Sequence, residues 1–133
     1  MSVLTRKQKN FIDQLFYDAQ KLQQAVAELR QARRSDAENS ADPTGKEAVE
    51  IVADIPCAMG YNNPEAWLRV VDKTWKAYNG TNIGKAMLRR YGNREAWQRT
   101  CMKCHISDPT YFAYRKEFIL SAALIAARMN LIF

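Results

Sequence analysis

Between Asn10 and Arg34 the apolar side chains are Phe11, Ile12, Leu15, Phe16, Ala19, Leu22, Val26 and Leu29. Steps of three and four put them on one stripe of an α-helix, with Gln20, Gln23, Gln24, Glu28 and Gln31 on the other face. A helix of roughly 25 residues is about 37 Å long at 1.5 Å per residue. That is long for a chain of 133 residues, so part of it is expected to pack on a second copy or project as an arm. The plainer alternative is core packing within one chain. With only 5 Gly and 4 Pro, the chain lacks the turn residues that a sandwich or barrel needs, and no useful length of strand-like alternation appears. The expected fold class is all-α: a long N-terminal helix, a central helical pair and a C-terminal helix-turn-helix.

Residues 33–45, reading RRSDAENSADPTG, carry no aliphatic side chain larger than alanine and are expected to form a linker. Thr44 is a candidate cap for a helix with Ala48, Ile51, Val52 and Ile55 on one face, ended by Pro56. Asn63, Pro64 and Glu65 then supply an N-cap, a first-turn proline and a first-turn acid. Trp67, Leu68, Val71, Trp75 and Tyr78 follow at helical spacing as core residues, and Asn79-Gly80 closes the helix. A shorter helix spans Ile83 to Tyr91, with Ile83, Met87, Leu88 and Tyr91 inward and Lys85, Arg89 and Arg90 outward, ending at Gly92. Asn93 is placed as the cap of the next helix, which carries Ala96, Trp97, Thr100, Cys101 and Cys104 inside and Arg94, Arg99 and Lys103 outside. After the turn Cys104-His105-Ile106, Ser107 caps the last helix, whose inner face is read as Tyr111, Tyr114, Phe118, Ala122, Ile125 and Met129.

Charge is distributed unevenly. Residues 1–84 carry 11 basic and 11 acidic side chains, whereas residues 85–133 carry 9 basic and 3 acidic, so the whole net charge of +6 lies in the last part of the chain. It coincides there with a short helix, a turn and a capped second helix at about residues 93–120, the outline of a unit whose second helix enters the DNA major groove. A capped helix start presents partial positive charge and free N–H groups to phosphate, and Arg89, Arg90, Arg94, Arg99, Lys103, Arg115 and Lys116 would add counterion-releasing contacts. Asp108, Thr110, Phe112, Ala113 and Lys116 are the candidates for base edges, with Phe112 able to touch a thymine methyl. On this reading residues 1–40 are a helix, a linker start and a candidate oligomerisation arm, and residues 41–133 a helical DNA-binding domain. A homodimer is expected, because paired half-sites multiply the specificity of one small reading head. A solvated basic face on an ordinary bundle is the bland alternative.

The stretch Leu88-Arg-Arg-Tyr91, then Trp97, then Cys104-His-Ile-Ser-Asp-Pro-Thr-Tyr-Phe-Ala-Tyr-Arg-Lys116 resembles the C-terminal half of phage-encoded late-gene regulators of the RinA and ArpU type. Their recognition helix is similar to that of the promoter-reading fourth region of sigma factors. The likeness covers roughly residues 42–130, including the linker Asp42-Pro-Thr-Gly45. It implies a prophage transcription regulator that binds double-stranded DNA, with Ser107, Thr110, Arg115 and Lys116 at recognition-helix positions, and it implies contact with host RNA polymerase. The thiols before the turn and the apolar end from Ala122 to Phe133 depart from the family pattern. Two other functions fit the same outline, a small-terminase-like packaging protein and a helical protein-interaction module.

Cys101-Met-Lys-Cys104-His105 also satisfies the C-x-x-C-H pattern of covalent haem attachment. Such attachment requires export, and Asp13, Gln14 and Asp18 interrupt the apolar run that a signal peptide or spanning helix would need, so a cytoplasmic protein without membrane contact is expected. A zinc site would have to draw a fourth ligand, Cys57, from far along the chain. Cys101 and Cys104 are therefore read as small buried residues, His105 as a turn residue near phosphate, and no metal or cofactor is expected. An odd number of cysteines, 3, fits reduced thiols. With one histidine and no Gly-rich phosphate loop, there is nothing to assign as catalytic nucleophile and base, and no enzyme activity is expected.

Overall fold

A computed structural model describes residues 4–38 and 55–131. Among the described residues the protein is all-α apart from one small hairpin: α1 (Arg6–Glu38), β1 (Cys57–Ala58), β2 (Tyr61–Asn62), α2 (Pro64–Ala77), α3 (Asn82–Gly92), α4 (Trp97–Cys104) and α5 (Asp108–Arg128). The chain forms two compact units, one of Met1–Asp18 together with Arg69–Phe133, the other of Ala19–Leu68.

α1 exceeds the expected helix at both ends. Its start is a reciprocal capping box in which the Gln8 N–H donates to Thr5 Oγ1 (3.1 Å) and the Thr5 N–H donates to Gln8 Oε1 (2.9 Å). Its end continues through Arg33–Glu38, so the linker does not begin at Arg33: arginine, alanine and glutamate are good helix formers, and no glycine or proline intervenes before Pro43. The rest of that linker and the helix expected after Thr44 lie outside the described residues, except Ile55, which is buried.

In the unit of Ala19–Leu68, Leu22, Val26, Ile55, Ala58, Tyr61 and Trp67 are buried, whereas Leu29, the last residue of the expected stripe, is 42% exposed. Arg30 donates twice to Glu65, Nε to Oε1 (2.5 Å) and Nη2 to Oε2 (2.7 Å), and the Ile55 N–H also reaches Glu65 Oε2 (3.1 Å). The hairpin pairs Cys57 with Asn62 and Ala58 with Tyr61. Met59 (φ 51°) and Gly60 (φ 80°) form its turn, the two positive-φ residues that suit the right-handed twist of short strands. Strands of two residues are too short to show alternation, which is why this feature was absent from the expectation. Asn63 precedes Pro64 as expected, but at φ 52° it lies in the left-handed region and not in the extended region of a usual N-cap.

The other unit is built around an aromatic cluster. Phe16 lies 5.7 Å from Trp75, 5.3 Å from Tyr91 and 4.8 Å from Phe118, between ring centroids. Ile12, Leu15, Val70, Met87 and Tyr111 are buried in the same unit. Between α2 and α3, Gly80 (φ 77°) reverses the chain and Thr81 fastens it: its hydroxyl donates to Tyr78 O (2.7 Å) and accepts from the Gly84 N–H (3.0 Å). A Cβ on Gly84 would stand 2.2 Å from Tyr78 O. Alanine normally stabilises a helical glycine site by up to about 1 kcal/mol; here Gly84→Ala is expected instead to destabilise by roughly 1–3 kcal/mol because backbone must move. Urea unfolding checks the sign, and an unchanged or higher midpoint would show that the corner opens freely.

Three local expectations are corrected. Leu88 is 59% exposed, and the buried residues of α3 are Ala86, Met87 and Tyr91, since Leu88 lies about 100° round the helix from Met87. Asn93 closes α3 instead of opening α4: its N–H donates to Arg89 O, Arg94 takes the left-handed conformation (φ 52°), and the Glu95 N–H returns to Arg89 O. α4 starts from Ala96, which is exposed and makes no side-chain cap bond. In α5 the buried residues are Tyr111, Phe118, Ile119, Ala122, Ala123 and Ala126, while Tyr114, Ile125 and Met129 are half-buried.

Candidate nucleic-acid interface

α4, a three-residue turn and α5 form the expected helix-turn-helix. His105 takes the left-handed conformation (φ 56°, ψ 46°) that ends α4, and the Ile106 N–H donates back to Cys101 O (3.1 Å). Ser107 is extended (φ −77°, ψ 161°). Its Oγ accepts from the Thr110 N–H (3.3 Å) and meets Thr110 Oγ1 at 2.8 Å, while its carbonyl accepts from the Tyr111 N–H (3.0 Å). This is the capped start read from the sequence, with Pro109 in the first turn.

On α5, Asp108, Phe112, Ala113 and Lys116 are exposed, and Ser107 at the cap is exposed with them. Thr110 is half-buried and its hydroxyl is held by Ser107. Phe112 is 44% exposed and leans on Trp97, with ring centroids 5.2 Å apart. Arg99 and Lys103 on α4 are exposed as expected, and like Lys116 they make no ion pair among the described residues.

Arg89, Arg90, Arg94 and Arg115 are committed within the unit. Arg89 pairs with Glu95 (3.3 Å), and the Thr100 hydroxyl donates to the same carboxylate (2.9 Å). Arg94 is exposed but lies over the Tyr17 ring at 5.2 Å and donates to Tyr17 O (3.4 Å). Arg90 does not face outward: its side chain is 14% exposed and both Nε and Nη2 donate to Asp13 (3.0–3.2 Å). Arg90 Nη1 also donates to the Tyr111 hydroxyl (3.1 Å), and its guanidinium lies 5.4 Å from the centres of the Tyr17 and Tyr91 rings. Arg115 is 3.6 Å from the same Asp13 carboxylate, and its buried Nε has no hydrogen-bond partner among the described residues.

Asp13 therefore ties α1 to both α3 and α5. The Tyr91 hydroxyl also donates to it (2.7 Å). Burial, reinforced by the Asp13 charge and this hydrogen bond, pushes the Tyr91 phenol well above the usual tyrosine range. Burial alone would make the Arg90 guanidinium easier to deprotonate, but its hydrogen bond to Tyr111 and the Asp13 charge outweigh that effect and raise it. Sequence reading missed Asp13 as a site residue. Its one signal was an acid placed directly beside the apolar stripe.

Cys101 is buried, with Sγ 3.9 Å from Ser107 O; Cys104 is half-buried, and Cys57 and His105 are exposed. Burial, with Asp108 nearby, raises the Cys101 thiol. Among the described residues, no three His, Cys, Asp or Glu side chains gather as metal ligands would, and no helix is long and apolar enough to cross a membrane. Comparisons of the chain with models of known protein families, with curated proteins and with solved structures find no match.

Proposed function

We propose that this protein binds double-stranded DNA in the cytoplasm through α4, the His105 turn and α5, as a homodimeric regulator of transcription. The observation that carries the reading is the Ser107-capped start of α5, which stands exposed after a tight left-handed turn, with Phe112, Ala113 and Lys116 on its outer face. His105 occupies the position where such turns often use glycine. The N-terminal turns of α5 enter the major groove, Phe112 and Ala113 meet base edges, and Lys116, Arg99 and Lys103 meet phosphates. The committed arginines act differently: Arg90 and Arg115 fix the orientation of α5, and Arg89 and Arg94 fix the approach to α4. Regulation of transcription, a prophage source and contact with host RNA polymerase rest on the resemblance to the RinA and ArpU regulators.

Electrophoretic shift of random duplexes at graded salt tests the reading. Binding that weakens steeply with salt is expected, and Lys116→Ala is expected to weaken it and reduce the logarithmic salt slope by about 1. Lys73→Ala, at an exposed position on α2, should leave both unchanged. No shift at low salt would reject DNA binding in favour of a protein-interaction module. A ring of many copies in solution, in place of a dimer, would favour the packaging protein.

A further inference from the structure

An open cleft of about 860 Å³ lies among α3, the end of α4, the turn and α5. Its apolar lining comes from Leu88, Ile106 and the Tyr114 ring, and its charge from Lys85, Arg89 and Lys103; no Asp or Glu lines it. Leu88 is 59% exposed, on a helix that buries Met87 and Tyr91. Lys85 and Lys103 are exposed and make no ion pair among the described residues. Along α3 the lining runs from Asn82 to Gly92, about 15 Å, or roughly three helical turns.

We infer that this cleft receives an acidic amphipathic helix of a partner protein. An apolar stripe at i, i+3 and i+7 covers Leu88, Ile106 and Tyr114, and carboxylates on its flanks meet Lys85, Lys103 and the exposed part of Arg89, the arrangement of helix-in-groove recognition. Charge complementarity sets the sign of the occupant, and Leu88 sets its apolar face. A phosphate backbone is the other anionic occupant to consider, but it is hydrated and would bury none of the apolar surface of Leu88, whereas an apolar helix face takes that surface out of water. The α5 wall of the cleft also faces away from that occupant, since Tyr114 is about 180° round α5 from the midpoint of Phe112 and Lys116. Lys103 belongs both to this cleft and to the phosphate contacts proposed above, so the partner helix and DNA compete for that one lysine, while Leu88, Ile106 and Tyr114 are separate from the outer face of α5.

The test uses the full chain and a synthetic helical peptide of about 12 residues, with leucines at i, i+3 and i+7 and glutamates on both flanks. Fluorescence anisotropy is compared with a scrambled peptide of identical composition, and amide resonances locate the contact. Saturable binding is expected, with shifts at Leu88, Ile106 and Tyr114. The scrambled peptide, Leu88→Ser and the pair Lys85→Glu with Lys103→Glu are each expected to weaken it about tenfold or more. Circular dichroism confirms that the variants are folded, as expected for exposed positions. Absence of binding, equal binding of the scrambled peptide, or shifts centred on Phe112 and Lys116 would overturn the proposal. So would loss of duplex binding in Leu88→Ser without loss of peptide binding, which would assign the cleft to nucleic acid.

Discussion

Replacing Asp13 with alanine is expected to lower the free energy of unfolding by about 3–5 kcal/mol, the range for breaking a buried ion pair from one side. Asp13 and Arg90 side chains are only 17% and 14% exposed, so neither is screened as a surface pair would be. Removal of the carboxylate leaves Arg90 with the Tyr111 hydroxyl and two ring faces, takes the acceptor from the Tyr91 hydroxyl, and deprives Arg115 of its counter-charge. Arg90→Met should also be destabilising. The double variant should cost less than the sum of the two single changes, because it leaves no stranded charge. Guanidinium chloride unfolding of the four proteins closes this cycle. A cost below about 1 kcal/mol for Asp13→Ala, typical of an exposed pair, would show that the carboxylate does not hold α1 to the other helices.

Phe118→Ala is the second large effect, expected at about 3–5 kcal/mol from lost transfer energy and the cavity left behind. The Phe118 ring is fully buried, with centroids 4.8 Å from Phe16, 4.9 Å from Trp75, 5.4 Å from Tyr78 and 5.9 Å from Tyr91. It is thus the point where α5 meets residues of α1, α2 and α3 at once. The tight surroundings limit collapse around a truncated side chain, which places the cost high in the range. Leu124→Ala, on the same helix but 49% exposed, should change stability by no more than about 0.5 kcal/mol. Equal costs at the two positions would mean that α5 is not anchored through Phe118.

What the sequence disclosed follows from what is local. Spacing of three and four located the described helices, and Ser107 announced the start of α5, because periodicity and capping depend on neighbours within one or two turns. The inner face of α5 was only half legible. Phe118 and Ala122 stood out, but from Phe118 to Ala127 nearly every residue is apolar, so no stripe separates Ile119, Ala123 and Ala126 from Ile125. The ends of α3 at Gly92 and of α4 at Cys104 stood where they were read, and only the junction between them misled: Arg94 adopts positive φ, a conformation that composition assigns first to glycine, so Asn93 looked like the cap of α4 when it closes α3. The basic cluster was visible as a sum and opaque in its parts. Which arginines are free depends on Asp13, 77 residues from Arg90, and on Glu95, and no local pattern records such partners.

The unit that carries α5 is assembled from two segments far apart in the sequence, which gives its folding an order in time. Ile12, Leu15 and Phe16 leave the ribosome well ahead of Tyr91 and Phe118, which follow only after the intervening chain has been made. At roughly 5–20 residues per second, the start of α1 waits several seconds without its partners. In that interval the polar residues of the same stretch, Lys9, Asn10, Asp13 and Gln14, are what an amphipathic helix can offer to water before its apolar face has anything to cover. A chain truncated before Phe118 would leave that apolar stripe exposed for good, so α5 is positioned only once Phe118 has been added.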